Sequence, residues 1–162
     1  MPSPQYLSAV LKVCHERISS LKDIYRRAHY FFQDPNPFDT DIAPFIHKSL
    51  RQGSTLKDGG YKVKQIVGEI LRISKEKFDV LQEWSSEELS KTIEEIGSET
   101  NQRPDVVMRL LRYAITGVTS GVGVPKVMEI LGKEKVKERL RRCILYVDST
   151  TGKEYYDKNV MN

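Results

Sequence analysis

The sequence predicts an all-α chain, a bundle of amphipathic helices, and three observations carry that expectation. Apolar residues recur every three or four positions through most of the chain, as on a helix with one buried side. Trp84-Ser85-Ser86-Glu87-Glu88-Leu89 places a serine before a helix and a glutamate three residues later, a capping box, with Trp84 and Leu89 as its hydrophobic staple. Alternation of period two occurs only near the C-terminus, too briefly to build a sheet. The chain has 162 residues, enough for one domain or for two small helical lobes, about 1–81 and 82–145. It is 39% hydrophobic, which suffices for a core, and 30% charged, which suits helices with solvated outer faces.

The first predicted helix runs from about Leu7 to Phe32. Leu11, Cys14, Ile18, Leu21, Tyr25, Ala28 and Phe32 form its stripe, widened by Ile24 and Phe31. Lys12, Arg17, Lys22, Arg26 and Arg27 lie opposite, and pattern alone reads them as an ordinary solvated face. Asp34-Pro35-Asn36-Pro37 breaks the helix, since proline lacks an amide donor and constrains the residue before it. A short helix follows from about Asp41 to Gln52, then a polar loop from Gly53 to Gly60. A longer helix spans roughly Tyr61 to Leu81. Ser85 opens the next, which buries Leu89, Ile93 and Ile96 and is expected to stop at Gly97; Trp84 is read as a packing anchor. Asn101 to Pro104 links to a helix that buries Val107, Leu110, Leu111 and Ala114 and stops at Gly117. Two more helices run from Pro125 to Leu131 and from Lys133 to about Leu145, the latter with a basic surface of Lys133, Lys135, Lys137, Arg139, Arg141 and Arg142. Residues 146–162 read as a tail, either frayed or a hairpin of Ile144–Val147 with Glu154–Tyr156.

Composition excludes several chemistries. Cys14 and Cys143 are far apart, and His15, His29 and His47 are scattered, which speaks against a zinc site or a disulfide framework. Phosphate-loop, dinucleotide-binding, nucleophile-elbow and metalloprotease motifs are all missing. Gly121-Val122-Gly123 has neither a preceding strand nor a following Gly-Lys-Ser/Thr. No membrane-length apolar run or targeting segment is visible. The chain is expected to bind, not to catalyse.

The most informative stretch is Val106 to Gly117 with the loop beyond it. A buried helix carries Arg109 and Arg112, ends at Thr116-Gly117, and leads through a glycine-rich turn into the helix opening at Pro125. Helix N-termini offer free amides, glycines let a ligand approach the backbone, and arginines fork onto phosphates or base edges. Single-stranded RNA is read with such parts. A net charge of +4 permits that partner without requiring it. The competing reading is a helical protein-interaction domain whose basic face is merely solvated.

Longer motifs add to this. Arg112-Tyr113-Ala114-Ile115-Thr116-Gly117, then Val127-Met128-Glu129-Ile130-Leu131-Gly132-Lys133-Glu134, then Glu138-Arg139-Leu140, resembles the C-terminal part of glutamyl-tRNA synthetases. Glu16-Arg17-Ile18-Ser19-Ser20-Leu21-Lys22-Asp23 with Tyr30-Phe31-Phe32 is similar to an upstream helix of that family, and Leu81 with Trp84 to Glu88 to its next junction. The resemblance implies the helical anticodon-binding domain of a class I synthetase, a monomer whose partner is glutamate tRNA, not DNA or a membrane. It implies that ATP and magnesium belong to a catalytic domain N-terminal to this chain and absent from it, with no cofactor here. It also implies that Arg112 reaches an anticodon base and Arg17 monitors the third one. Thr116 and Gly117 would form the motif's turn, Gly121, Val122 and Val124 would meet the first base, and Arg109, one turn before Arg112, would contact backbone or lie on a solvated surface. Val122 stands where the family usually has proline. Met108-Arg109-Leu110-Leu111-Arg112 looks more like mitochondrial members, which implies the mitochondrial matrix.

Overall fold

Ser19 and Ser20 divide the first predicted helix in two. In the computed structural model, which describes residues 1–36 and 61–149, α1 covers Pro4–Cys14 and α2 Leu21–Ala28, with short 3-10 turns at His15–Arg17 and His29–Phe31. The break has a local cause. Ile18 is extended, Ser20 caps α2 by accepting from the Asp23 amide at 3.4 Å, and the Asp23 carboxylate accepts from the Ser19 amide at 3.0 Å and hydroxyl at 2.7 Å. Short polar side chains that bond nearby backbone compete with helix continuation. The expected continuous stripe is corrected accordingly. Leu11 is 49% and Tyr25 73% exposed, while Val10, Cys14, Ala28, Tyr30 and Phe31 are buried.

The remaining helices are α3 (Tyr61–Val80), α4 (Ser86–Glu99), α5 (Pro104–Thr116), α6 (Val124–Leu131) and α7 (Lys133–Ser149), and among the described residues there is no strand. Ile144–Val147, expected as half of a hairpin, continues α7 and buries Cys143, Tyr146 and Val147 at helical spacing. A run of four residues is too short to separate the two periods. The predicted helix at Asp41–Gln52, the Gly53–Gly60 loop and the hairpin's second half lie outside the described residues.

Helix α5 lies at the centre. Val106, Val107, Leu110, Leu111, Tyr113, Ala114, Ile115 and Thr116 are all buried, because α4, α6, α7, α3 and the second 3-10 turn all pack on it. The long α3 pairs most extensively with α7. At the head of α4, Ser85 accepts from the Glu88 amide at 3.3 Å as the capping box requires. The reciprocal bond from Glu88 is not made among the described residues: Glu88 pairs with Lys91, and Glu129 on α6 accepts from the next amide, that of Ser86, at 2.6 Å. Trp84 is a packing anchor, edge-on to Phe78 and donating to the Met128 carbonyl at 2.8 Å.

Gly97 does not end α4, contrary to expectation; the helix runs on to Glu99. The glycine lets the chain double back instead. A Cβ there would lie 2.8 Å from the Gln102 carbonyl, and the Gln102 amide donates to the Gly97 carbonyl at 2.8 Å.

Arg139 corrects the picture of a uniformly basic α7. It is 1% exposed and reaches inward, donating to the Ile115 carbonyl at 2.7 Å, the Gln33 carbonyl at 3.3 Å and the Asp34 carboxylate at 2.9 Å. One side chain thus ties α7 to the end of α5 and to the segment leaving the second 3-10 turn.

Candidate nucleic-acid interface

Two segments far apart in sequence face each other across a groove of about 590 Å³. One wall comes from the junction of α1 and α2: Cys14, Arg17, Ile18, Arg26 and Arg27. The other is the loop between α5 and α6: Val118, Thr119, Ser120, Gly121 and Val122. The Ser19-Ser20 break creates the first wall, because it turns α2 so that Arg26 and Arg27 share the groove with Arg17.

The second wall is built from its turn outward. α5 stops at Gly117, which takes a left-handed φ of 70° and donates to the Tyr113 carbonyl. The buried Thr116 hydroxyl donates to the Arg112 carbonyl at 2.6 Å and accepts from the Val118 amide at 3.2 Å, so it shapes the turn. Arg112, half-buried beneath the loop, donates through Nη1 to the Val122 carbonyl at 2.9 Å. Gly121 sits at φ 145°, and a Cβ there would come within 3.2 Å of the Tyr30 hydroxyl. This position calls for glycine on both counts. The Tyr30 hydroxyl is directed at the Val122 backbone but makes no hydrogen bond of ordinary geometry.

Electrostatically the groove has surplus positive charge. Burial lowers the pKa of Arg112; the Tyr30 phenol opposes this, and the like charge of Arg17 adds to it. Among the described residues, Arg17, Arg26 and Arg27 make no hydrogen bond or ion pair. The other described arginines all have partners: Arg72 pairs with Asp148, Arg103 and Arg109 with Asp105, Arg141 and Arg142 with Glu138, while Arg112 and Arg139 bond carbonyls. Asp23, next to Arg27, is committed to Ser19, whose hydrogen bonds hold its carboxyl below the usual range.

Of the residues expected at a site, Arg17, Gly121 and Val122 line the groove. Arg112 supports the loop from behind, and Thr116 and Gly117 form the turn into it. Val124 is buried at the start of α6, and Arg109 faces Asp105 at 3.8 Å. Sequence reasoning passed over Arg26, Arg27 and Tyr30. The signal for the first two was their helical phase, hidden by the unread break at Ser19-Ser20. No cluster of metal-ligand residues occurs among the described residues, nor any helix long and apolar enough to cross a membrane.

Comparison with known proteins bears on this geometry. A family model described as an anticodon binding domain matches residues 1–144. The chain is 28% identical over 152 residues to the glutamate–tRNA ligase of Stutzerimonas stutzeri (strain A1501), a match covering 94% of this chain and 28% of that protein. Its fold is similar to that of a glutamate tRNA ligase from Elizabethkingia meningosepticum, with a TM-score of 0.66 at 24% identity over 91% of this chain and 26% of that one. The chain therefore spans about a quarter of the length of the relatives it matches.

Proposed function

This chain belongs to the anticodon-binding domain family, and from that premise we propose that it binds the anticodon of glutamate tRNA in the groove between the α1–α2 junction and the α5–α6 loop. The observation that carries the assignment of the groove is the concentration there of the arginines that have no hydrogen-bond or ion-pair partner among the described residues. A bundle that pairs its other described arginines internally leaves these three for an external polyanion. The competing reading, a protein-interaction domain with a solvated basic face, has no comparable support.

The loop supplies the base-reading edge. Thr119, Ser120 and Gly121 offer backbone and hydroxyl groups at the wall, and Arg112 fixes the Val122 carbonyl in place. Splayed bases of single-stranded RNA are recognised by such groups along their edges. Arg17 monitors the third anticodon base, as the resemblance implies. In the longer ligase that such a domain serves, this discrimination directs glutamate, activated with ATP and magnesium elsewhere in the protein, to the correct tRNA. The mitochondrial form of the enzyme and a monomeric state are part of the same proposal, supported by the Met108 to Arg112 motif for the first and by the resemblance for the second.

The test is binding of the chain to glutamate tRNA against the same tRNA altered only in its anticodon, across a range of salt. Preference for the matched anticodon is expected. In Arg112→Ala, which frees the Val122 carbonyl and the loop edge it holds, the preference should fall by about 1–3 kcal/mol, the scale of one lost base contact. An unchanged preference in a folded variant would remove Arg112 from the site. For Arg17→Ala, discrimination is expected to relax at the third anticodon position, and an unaltered profile there rules that residue out.

A further inference from the structure

The groove divides its work between its walls, and we infer that Arg26 and Arg27 form a clamp for the sugar–phosphate backbone of single-stranded RNA while the opposite loop reads bases. This rests on the reading of the groove as an RNA site, and adds to it two residues and a role for them.

Orientation separates the roles. An arginine that reads a base edge needs its guanidinium plane held by the protein, because two parallel hydrogen bonds tolerate little misplacement. Arg112 is held in that way, half-buried and bonded to the Val122 carbonyl at 2.9 Å, and through that bond it fixes the edge of the reading loop. Arg26 and Arg27 are exposed and have no hydrogen bond or ion pair among the described residues, so nothing fixes their planes. An unoriented guanidinium suits a phosphate, where net charge near the strand matters most, better than a base edge. Arg17 shares this freedom but lies on the turn before α2, and its part at the third base is decided by its own substitution. Arg26 and Arg27 are also consecutive on α2 and line the same wall of the groove. The facing loop carries no charged side chain from Val118 to Val122. A strand laid along the groove therefore meets charge on one side and neutral backbone edges on the other.

The experiment uses the full chain, measuring affinity against salt for an unstructured uridine oligonucleotide and for anticodon-arm hairpins with matched and altered anticodons. The double variant Arg26→Ala/Arg27→Ala should flatten the slope of log affinity against log salt by about 0.7 for each phosphate that is no longer neutralised. It should weaken both hairpins by the same factor. Arg26→Lys/Arg27→Lys should retain the slope, because a point charge suffices for a phosphate but not for a bidentate base contact. Thermal unfolding checks that both variants fold, as expected for exposed positions. An unchanged slope in the alanine variant, a loss confined to the matched anticodon, or a loss in the lysine variant overturns the clamp. A parent chain that binds both hairpins alike overturns anticodon reading instead, and the oligonucleotide slopes still decide the clamp. A parent chain that binds none of these RNAs overturns both.

Discussion

On α7, Arg139 is buried against the Ile115 and Gln33 carbonyls and Asp34, while Arg141 and Arg142 fork onto Glu138 and Arg142 also reaches Asp34. On the segment from His15 to Ala28, Arg17, Arg26 and Arg27 have no such partner among the described residues. Written as sequence, α7 is the more basic of the two and the more obvious candidate for a polyanion. In the structure much of its charge is already spoken for: hydrogen bonds from Arg141 and Arg142 bring the Glu138 carboxyl down to about 2, and Lys137 pairs with Asp79. A basic face thus attracts a ligand in proportion to the charge it leaves unpaired, not to the number of arginines it contains.

Substitutions can sharpen that contrast. The largest effect is expected from Arg139→Ala, which removes a buried guanidinium and orphans the Ile115 carbonyl, at a cost of about 1–3 kcal/mol for the unsatisfied carbonyl; urea unfolding of variant and parent measures it. A loss below about 1 kcal/mol, the range of exposed ion pairs, would place Arg139 with its surface neighbours. Next comes acid sensitivity through Asp34. Burial raises its pKa, but the hydrogen bond and charge of Arg139, with help from Arg142, outweigh that and leave it lowered. A carboxyl depressed in the folded state stabilises above its unfolded pKa, about 3.9, and that contribution is lost as pH falls through the folded value. Acid unfolding of Asp34→Asn should therefore be shallower than the parent's below about pH 4, and parallel curves would remove Asp34 from the acid transition. The smallest effect is expected from Arg141→Ala, within about 0.5 kcal/mol in stability. Its salt slope for RNA should match the parent's, so a flattened slope would show that α7 also takes part in binding.

Much of this fold could be read from residue pattern. The ends of α3, α5 and α6, the Ser85 cap and the Gly117 stop follow from local signals that act within one or two helical turns. The groove could not be read in the same way. Its two walls, Cys14 to Arg27 and Val118 to Val122, are brought together by packing between segments about a hundred residues apart, and no periodicity encodes such a meeting. Ser19 and Ser20 also sat inside an apolar stripe that ran on past them, so the stripe concealed the break. The buried state of Arg139 was equally hidden, since an arginine on a basic helix offers no local sign that it points inward. Motif resemblance located Arg17, Arg112 and the loop, but not Arg26 or Arg27.

Arg139 has a bearing on how the chain comes into being. Its bonds to Gln33, Asp34 and Ile115 join the segment after the second 3-10 turn and the end of α5 to the last of the described helices. Contacts between segments so distant in sequence close late, after the local helices have formed, because long loops must first lose their freedom. A nascent chain can build α4 and α5 as neighbours well before α7 has emerged. The Arg139 bonds that hold the end of α5 to the segment after the second 3-10 turn form only when that helix docks, so the groove proposed for RNA takes its spacing after α4 and α5 have met.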